Sequence, residues 1–189
     1  WKHEVFRAMR HIPNIISGIR LLMVGVFIYF YANERYAACL VVYLLAFLSD
    51  LVDGYLARRN NWISNVGKVL DPLADKAMLI TAVVSFYLNG WLPLWMLILI
   101  VGKEAIMVIG GLFLYTKEVV VYADWVGKFA AGFFTASVVT AILRHFPDFE
   151  KIGSLYLILF GISIVLAFVA LFHYAKRQVF ALREKSKAS

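Results

Sequence analysis

Six long apolar runs, separated by short polar breaks, organise the chain. They cover roughly residues 15–31, 36–56, 69–88, 92–115, 125–143 and 155–174. Most approach the ~20 residues that carry an α-helix across the hydrocarbon core of a bilayer. Backbone in lipid must satisfy its own hydrogen bonds, so each run is read as a helix. The breaks have local causes. Asn33-Glu34-Arg35 is a charged turn, Asn89-Gly90 is a turn pair followed by Pro93, and residues 144–151 combine Pro147 with alternating charge. No linker marks a second domain and no repeat is evident in the sequence. The stretch before the first run differs. In residues 1–11, Val5, Phe6 and Met9 share one helical face while Lys2, Arg7 and Arg10 lie mostly elsewhere. That pattern predicts a short amphipathic helix lying in the headgroup region, after which Pro13 and Asn14 turn the chain into the first span. The expected organisation is therefore all-α and integral to the membrane: an interfacial helix at 1–11, a six-helix domain at 12–175 and a basic cytoplasmic tail at 176–189.

Composition supports this class. Hydrophobic residues make up 62% and charged residues 16% of the 189 residues, against about 45–50% and about 25% in soluble globular chains. Charge sets an orientation. Six spans put both termini on one side. With the loops after the second and fourth helices, that side collects eleven lysines and arginines (Lys2, Arg7, Arg10, Arg58, Arg59, Lys117, Lys176, Arg177, Arg183, Lys185, Lys187), against three (Arg35, Arg144, Lys151) on the other. The bias makes the termini cytoplasmic. The net charge of +7 is accounted for by basic loops against anionic lipid rather than by nucleic acid. The one cysteine, Cys39, lies in an apolar run, and the four histidines are scattered, so neither a disulfide nor a histidine metal site is expected. The first apolar run lacks a cleavage site and reads as a retained helix. The chain opens on Trp1 rather than methionine, as a trimmed sequence would.

Four aspartates break the apolar pattern where the second run ends and the third begins. The end of the second run reads Ser49-Asp50-Leu51-Val52-Asp53-Gly54-Tyr55-Leu56-Ala57-Arg58, and the start of the third reads Gly67-Lys68-Val69-Leu70-Asp71-Pro72-Leu73-Ala74-Asp75-Lys76. Asp50 and Asp53 are three apart, Asp71 and Asp75 four apart, so each pair occupies one helix face. Two antiparallel neighbours joined by a short loop can bring the pairs together. Four carboxylates at membrane depth are costly, at least ~2.5 kcal/mol each, and they repel one another. Protonation or divalent cations would relieve this. Hard oxygen ligands suit Mg²⁺, Mn²⁺ or Ca²⁺, and a pair of such ions is the usual clamp of phosphoryl transfer. Gly54, Ala57 and Gly67 leave bare backbone beside the acids. With four acids on the same face this reads as a slot for a bulky ligand, although small residues also serve close helix packing.

At this point the chain resembles the CDP-alcohol phosphotransferase (CDP-alcohol phosphatidyltransferase) family, which carries Asp-x-x-Asp-Gly-x-x-Ala-Arg, eight or nine residues, then Gly-x-x-x-Asp-x-x-x-Asp. Every fixed position is matched: Asp50, Asp53, Gly54, Ala57, Arg58, Gly67, Asp71 and Asp75, with eight residues between Arg58 and Gly67. The resemblance implies transfer of a phosphatidyl group from CDP-diacylglycerol to an alcohol acceptor with release of CMP. Asp50, Asp53 and Asp71 would hold two divalent ions, Mg²⁺ or Mn²⁺, and Asp75 would touch one metal and act as general base. CDP-lipid would lie against Asp50, Gly54, Ala57, Arg58 and Gly67. Arg58 either binds a donor phosphate or simply snorkels to the surface.

The acceptor side rests on three basic residues within or at the ends of spans: Arg20, Lys103 and Lys128. Intramembrane cations mark functional sites by default. The bland alternatives are snorkelling for Arg20, an internal pair with Glu104 or the aspartates for Lys103, and the membrane interface for Lys128. The chain is most similar to the phosphatidylglycerolphosphate synthase branch, which implies that the three hold the phosphate of glycerol 3-phosphate in a cytoplasmic cavity. It departs from that branch in Ser17 for the commoner threonine, in Lys103-Glu104 for Arg-Glu, and in Gly110-Gly111-Leu112 where a further arginine is common. Cardiolipin synthase of the same superfamily, with phosphatidylglycerol as acceptor, is the nearest rival. A divalent-cation transporter is the rival from another class, disfavoured because no second acidic pair mirrors the first. By the same resemblance a homodimer is expected, with Gly102, Gly110 and Gly111 available for close packing.

Overall fold

The computed structural model describes the backbone of residues 12–60, 67–116 and 125–188, and the side chains of 17–52, 73–74, 76–110, 125–149 and 151–176. The interfacial helix expected at residues 1–11 lies outside the described residues. Among the described residues six α-helices form: α1 (Ile12–Ala32), α2 (Tyr36–Asn60), α3 (Gly67–Leu88), α4 (Leu94–Thr116), α5 (Trp125–Leu143) and α6 (Leu155–Ala188), with a 3₁₀ turn at Pro147–Ile152. Each apolar run read from the sequence corresponds to one helix. The main difference is α6, which continues as helix to Ala188 through the basic segment expected as a separate tail. At 1.5 Å per residue this helix is ~50 Å long, well beyond a ~30 Å hydrocarbon core.

The turns follow from backbone chemistry. α1 ends in a Schellman arrangement: the Arg35 amide donates to the Phe30 carbonyl at 2.9 Å and the Glu34 amide to Tyr31 at 3.0 Å. Glu34 takes the left-handed position (φ 56°) that usually falls to glycine. The Asn33 side chain donates to the Tyr29 carbonyl at 2.7 Å and caps the same end. At the end of α3 the left-handed residue is Gly90 (φ 70°). The Pro93 carbonyl then accepts from the Met96 and Leu97 amides and opens α4.

The helices fall into two compact units, residues 1–88 and 89–189. In the first, α1 packs along both α2 and α3, which also touch each other. Its core is a stripe from each helix: Ser17, Arg20, Phe27 and Tyr31 of α1, Cys39, Tyr43 and Ala46 of α2, and Ala74, Met78, Ala82, Val83 and Phe86 of α3. Tyr31 donates its hydroxyl to the Ser85 carbonyl at 3.0 Å and its ring meets Phe86 at 6.0 Å. In the second unit α6 packs on α5 and, less extensively, on α4. Phe134 meets Phe160 edge-on at 5.5 Å, and the Ser163 hydroxyl donates to the Ala130 carbonyl at 3.1 Å. Outer faces in both units are apolar, with Leu22, Leu45, Leu51, Ile98, Ile109 and Phe172 among the exposed residues. A soluble helix would carry charge there. By length and composition, Trp125–Leu143 and Leu155–Lys176 can cross a membrane. Shorter apolar stretches, Ser17–Ala32, Tyr36–Val52 and Lys76–Leu88, lie in α1–α3.

One polar cluster ties the ends of the second unit. Arg144 donates to the Tyr156 hydroxyl at 2.7 Å, and that hydroxyl donates to the Trp91 carbonyl at 2.7 Å. The guanidinium also lies 5.5 Å from the Trp91 ring and 5.1 Å from the Tyr156 ring, while His145 stacks on Trp91 at 4.0 Å. Burial first, and then the neighbouring Arg144 charge, hold the His145 imidazole below its usual range. Tyr156 is buried, so Tyr156→Phe, which removes both bonds of its hydroxyl, is expected to lower stability by about 1–2 kcal/mol. Unfolding of the detergent-solubilised protein checks this, and an unchanged midpoint would show the cluster to be energetically idle.

Candidate active site

The aspartate motif occupies the C-terminal part of α2 and the N-terminal part of α3. Asp50, Asp53, Gly54, Ala57 and Arg58 are helical residues of α2, and Gly67, Asp71 and Asp75 are helical residues of α3. The i,i+3 and i,i+4 spacings are therefore true helical spacings. The side chains of Asp53, Ala57, Arg58, Asp71 and Asp75 lie outside those described, as do the surroundings of Gly54 and Gly67. Among the described residues no three acidic, cysteine or histidine side chains gather as a metal-ligand group.

Helix register nonetheless relates the backbones of the two acid pairs. α1 and α2 are antiparallel, with Phe27 beside Tyr43 (ring centroids 6.5 Å apart) and Arg20 beside Asp50. Seven residues separate the two contacts on each helix. The C-terminal ends of α1 and α3 meet at Tyr31 and Phe86, so these two run parallel. Counting back eleven residues, ~16 Å of helix, reaches Arg20 on α1 and Asp75 on α3. By this count of residues, Asp75 is the α3 position in register with Arg20 and Asp50, and Asp71 follows one turn on with Asp53.

Asp50 is the acid whose surroundings are described. Its Oδ1 accepts from Nη1 of Arg20 at 3.0 Å, with 38% of the aspartate side chain exposed and only 1% of the arginine. Arg20 Nε also points to the Ser49 hydroxyl at 3.4 Å. The sequence left Arg20 either in an acceptor pocket or snorkelling to the surface. The structure removes the second option: the side chain is among the most deeply buried of the chain and faces the acid motif.

The other two cations belong to the second unit. Lys103 pairs with Glu104, the next residue in α4. Glu104 continues the buried stripe Leu92, Met96, Ile100 at four-residue intervals, and it is 2% exposed. The internal pair weighed from the sequence for Lys103 is therefore present. Lys128 is exposed in the first turn of α5, its Nζ 4.4 Å from the centre of the Trp125 ring, an interfacial cation–π contact. One polar residue here had no assigned role in the sequence reading: Ser49, hidden because a serine before an aspartate carries no signal by itself.

The comparisons with known proteins agree with the motif. The family model of CDP-alcohol phosphatidyltransferases matches residues 10–175, so the chain belongs to that family and is a membrane transferase. An Aquifex aeolicus protein named CDP-diacylglycerol–glycerol-3-phosphate 3-phosphatidyltransferase is 30% identical over 166 residues, 87% of this chain and 93% of the relative. A Bacillus subtilis protein of the same name is 34% identical over 60% of this chain and 58% of its own length. A Streptomyces coelicolor cardiolipin synthase (CMP-forming) is 35% identical over 52% of this chain and 48% of its own.

Lys103 and Glu104 are both largely buried, so removing one charge strands the other. Glu104→Gln is expected to cost about 3 kcal/mol, and a further Lys103→Met to recover most of it. A cycle of unfolding midpoints in detergent reads the coupling, and strict additivity would show that the pair is not energetically linked.

Proposed function

We propose that this protein makes phosphatidylglycerol phosphate by moving the phosphatidyl group of CDP-diacylglycerol to glycerol 3-phosphate, with CMP released. The observation that carries the reaction class is the complete aspartate motif on helical residues of α2 and α3, its first carboxylate paired with a buried arginine. The acceptor rests on the likeness to the Aquifex aeolicus synthase over nearly the whole of both chains.

The donor set fits divalent metal. A carboxylate has two oxygens and about four lone-pair sites, so Asp50 can accept from Arg20 and still offer oxygen to a cation, and it retains exposure to do so. Asp50, Asp53, Asp71 and Asp75 would hold two ions, Mg²⁺ or Mn²⁺. Bound there, divalent cations supply charge neutralisation for the diphosphate and the departing CMP phosphate. The chain's own residues do the rest. Arg58 binds a donor phosphate oxygen, and Gly54, Ala57 and Gly67 leave space for the cytidine nucleotide. Asp75 takes the proton of the acceptor hydroxyl as the new oxygen–phosphorus bond forms and the bond to CMP breaks. Arg20, Lys103 and Lys128 hold the acceptor's phosphate. Purified protein given CDP-diacylglycerol, Mg²⁺ and a panel of acceptors tests the reading by the mass of the lipid formed. Cardiolipin from phosphatidylglycerol would favour the alternative that the Streptomyces coelicolor relative represents. Asp50→Asn is expected to lower kcat about 10²-fold or more. Lys103→Met is expected to lower kcat/KM for the acceptor about 10–100-fold, with CDP-lipid binding nearly intact. Loss of donor affinity alone would move Lys103 to the diphosphate site.

The proposed setting is a six-span domain in a bacterial cytoplasmic membrane with cytoplasmic termini, an interfacial helix at 1–11 and the site open to the cytoplasm. A homodimer belongs to the same reading. A Cβ added at Gly102 or Gly110 would meet nothing within 4 Å among the described residues, which leaves these glycines open to a partner helix. Single cysteines at positions 58 and 144 should label from opposite sides of the membrane, and cross-linking in native membrane should trap a dimer. Labelling from one side, or monomer alone, would defeat the respective part.

A further inference from the structure

Arg20 carries more than an acceptor contact. Among the described residues it is the largest side chain that is almost wholly buried, and its charge faces the first aspartate of the motif. Such a pair is an unpromising stability device. Taking a guanidinium out of water costs several kcal/mol, and apolar residues in place of buried ion pairs often leave a protein as stable or more so. A role in the site gives the better reason for burying it.

The geometry forms a closed chain of contacts. The Ser49 hydroxyl donates to the Ala46 carbonyl at 2.7 Å, which uses its one proton and turns an oxygen lone pair outward. Nε of Arg20 points to that oxygen at 3.4 Å, and Nη1 donates to Asp50 Oδ1 at 3.0 Å. Two nitrogens of one rigid plane thus meet two adjacent residues of α2, which fixes the guanidinium and with it the carboxylate. α1 is the element that sets the Asp50 rotamer, and Ser49 is the anchor that keeps Arg20 in plane. A lysine has one nitrogen and cannot make both contacts in a fixed plane.

We infer that Arg20, anchored on Ser49, is a positioning residue that orients the Asp50 carboxylate for divalent metal, so that α1 helps build the metal site without ligating it. The inference rests on the proposed carboxylate metal site. Its probe is Mn²⁺ alone, titrated into the full chain in detergent and followed by loss of the free-ion paramagnetic resonance signal. Arg20→Met is expected to weaken Mn²⁺ binding about tenfold or more, in the range seen when partners of metal-binding side chains are removed. Arg20→Lys keeps the charge but not the fixed plane, and is expected to bind at least about threefold more weakly than the parent. Turnover lost in either variant should return in part at high Mn²⁺, which a role confined to the acceptor's phosphate would not produce. If Arg20→Met does not fold, Arg20→Lys decides alone. Parent-like or tighter Mn²⁺ binding in the arginine variants, with Asp50→Asn weakened, overturns the positioning role and leaves Arg20 as a counter-charge. Parent-like binding in Asp50→Asn as well overturns the metal site, and the positioning role with it.

Discussion

The ion pair between Arg20 and Asp50 joins two incompatible demands. Charged groups stand at the motif ends of helices whose other surfaces are apolar, and a charge taken out of water is tolerated only when paired. In the first unit the demand is met at one end of a shared core. Phe27, Tyr31, Tyr43 and Phe86 fill one end of it, and Ser17, Arg20, Ser49 and Asp50 occupy the other. α1 therefore holds α2 at two levels, by tilted aromatic rings at one and by a charge-assisted hydrogen bond at the other, and meets α3 at Tyr31 and Phe86. Displacing α1 would disturb the acid motif even though α1 contributes none of its aspartates.

The second unit handles charge by the same rule with different partners. Glu104 takes a place where the stripe of Leu92, Met96 and Ile100 would otherwise continue with an aliphatic residue, and Lys103 lies against it. At the other end of α5 the Arg144 guanidinium lies near two aromatic rings and bonds to a tyrosine hydroxyl. Lys128 stays exposed over Trp125. The three cations thus sit in three environments: deep and paired with a neighbour, clasped by aromatics, and interfacial. Only the first resembles the setting of Arg20, which gives Lys103 the stronger claim to a part in the chemistry.

The family model and the relatives establish the family, and local geometry describes Asp50 and its partners. In the proposed reaction the acids act on the donor diphosphate, so the motif by itself does not select the acceptor. Lysine at position 103 offers a point charge where arginine would offer a planar fork, which changes how an anionic group is held without changing its charge.

Much of the architecture was legible in the sequence. Long apolar runs, broken by Asn-Gly, Pro and charge, mark the six described helices and most of their limits, because a helix satisfies its own backbone hydrogen bonds without detailed packing. The spacing of Asp50, Asp53, Asp71 and Asp75 placed the acids on helix faces for the same local reason. The sequence misjudged the end of α6, since a polar tail can continue a helix that apolar residues have already nucleated. Partners were what it left open. Arg20 was compatible with snorkelling or with a pocket, and Lys103 with Glu104 or with the aspartates, because one cation in an apolar run specifies a need for a counter-charge and not which one answers it. That choice depends on which faces of α1 and α2 meet and in what register, and it took the tertiary structure to set Arg20 against Ser49 and Asp50.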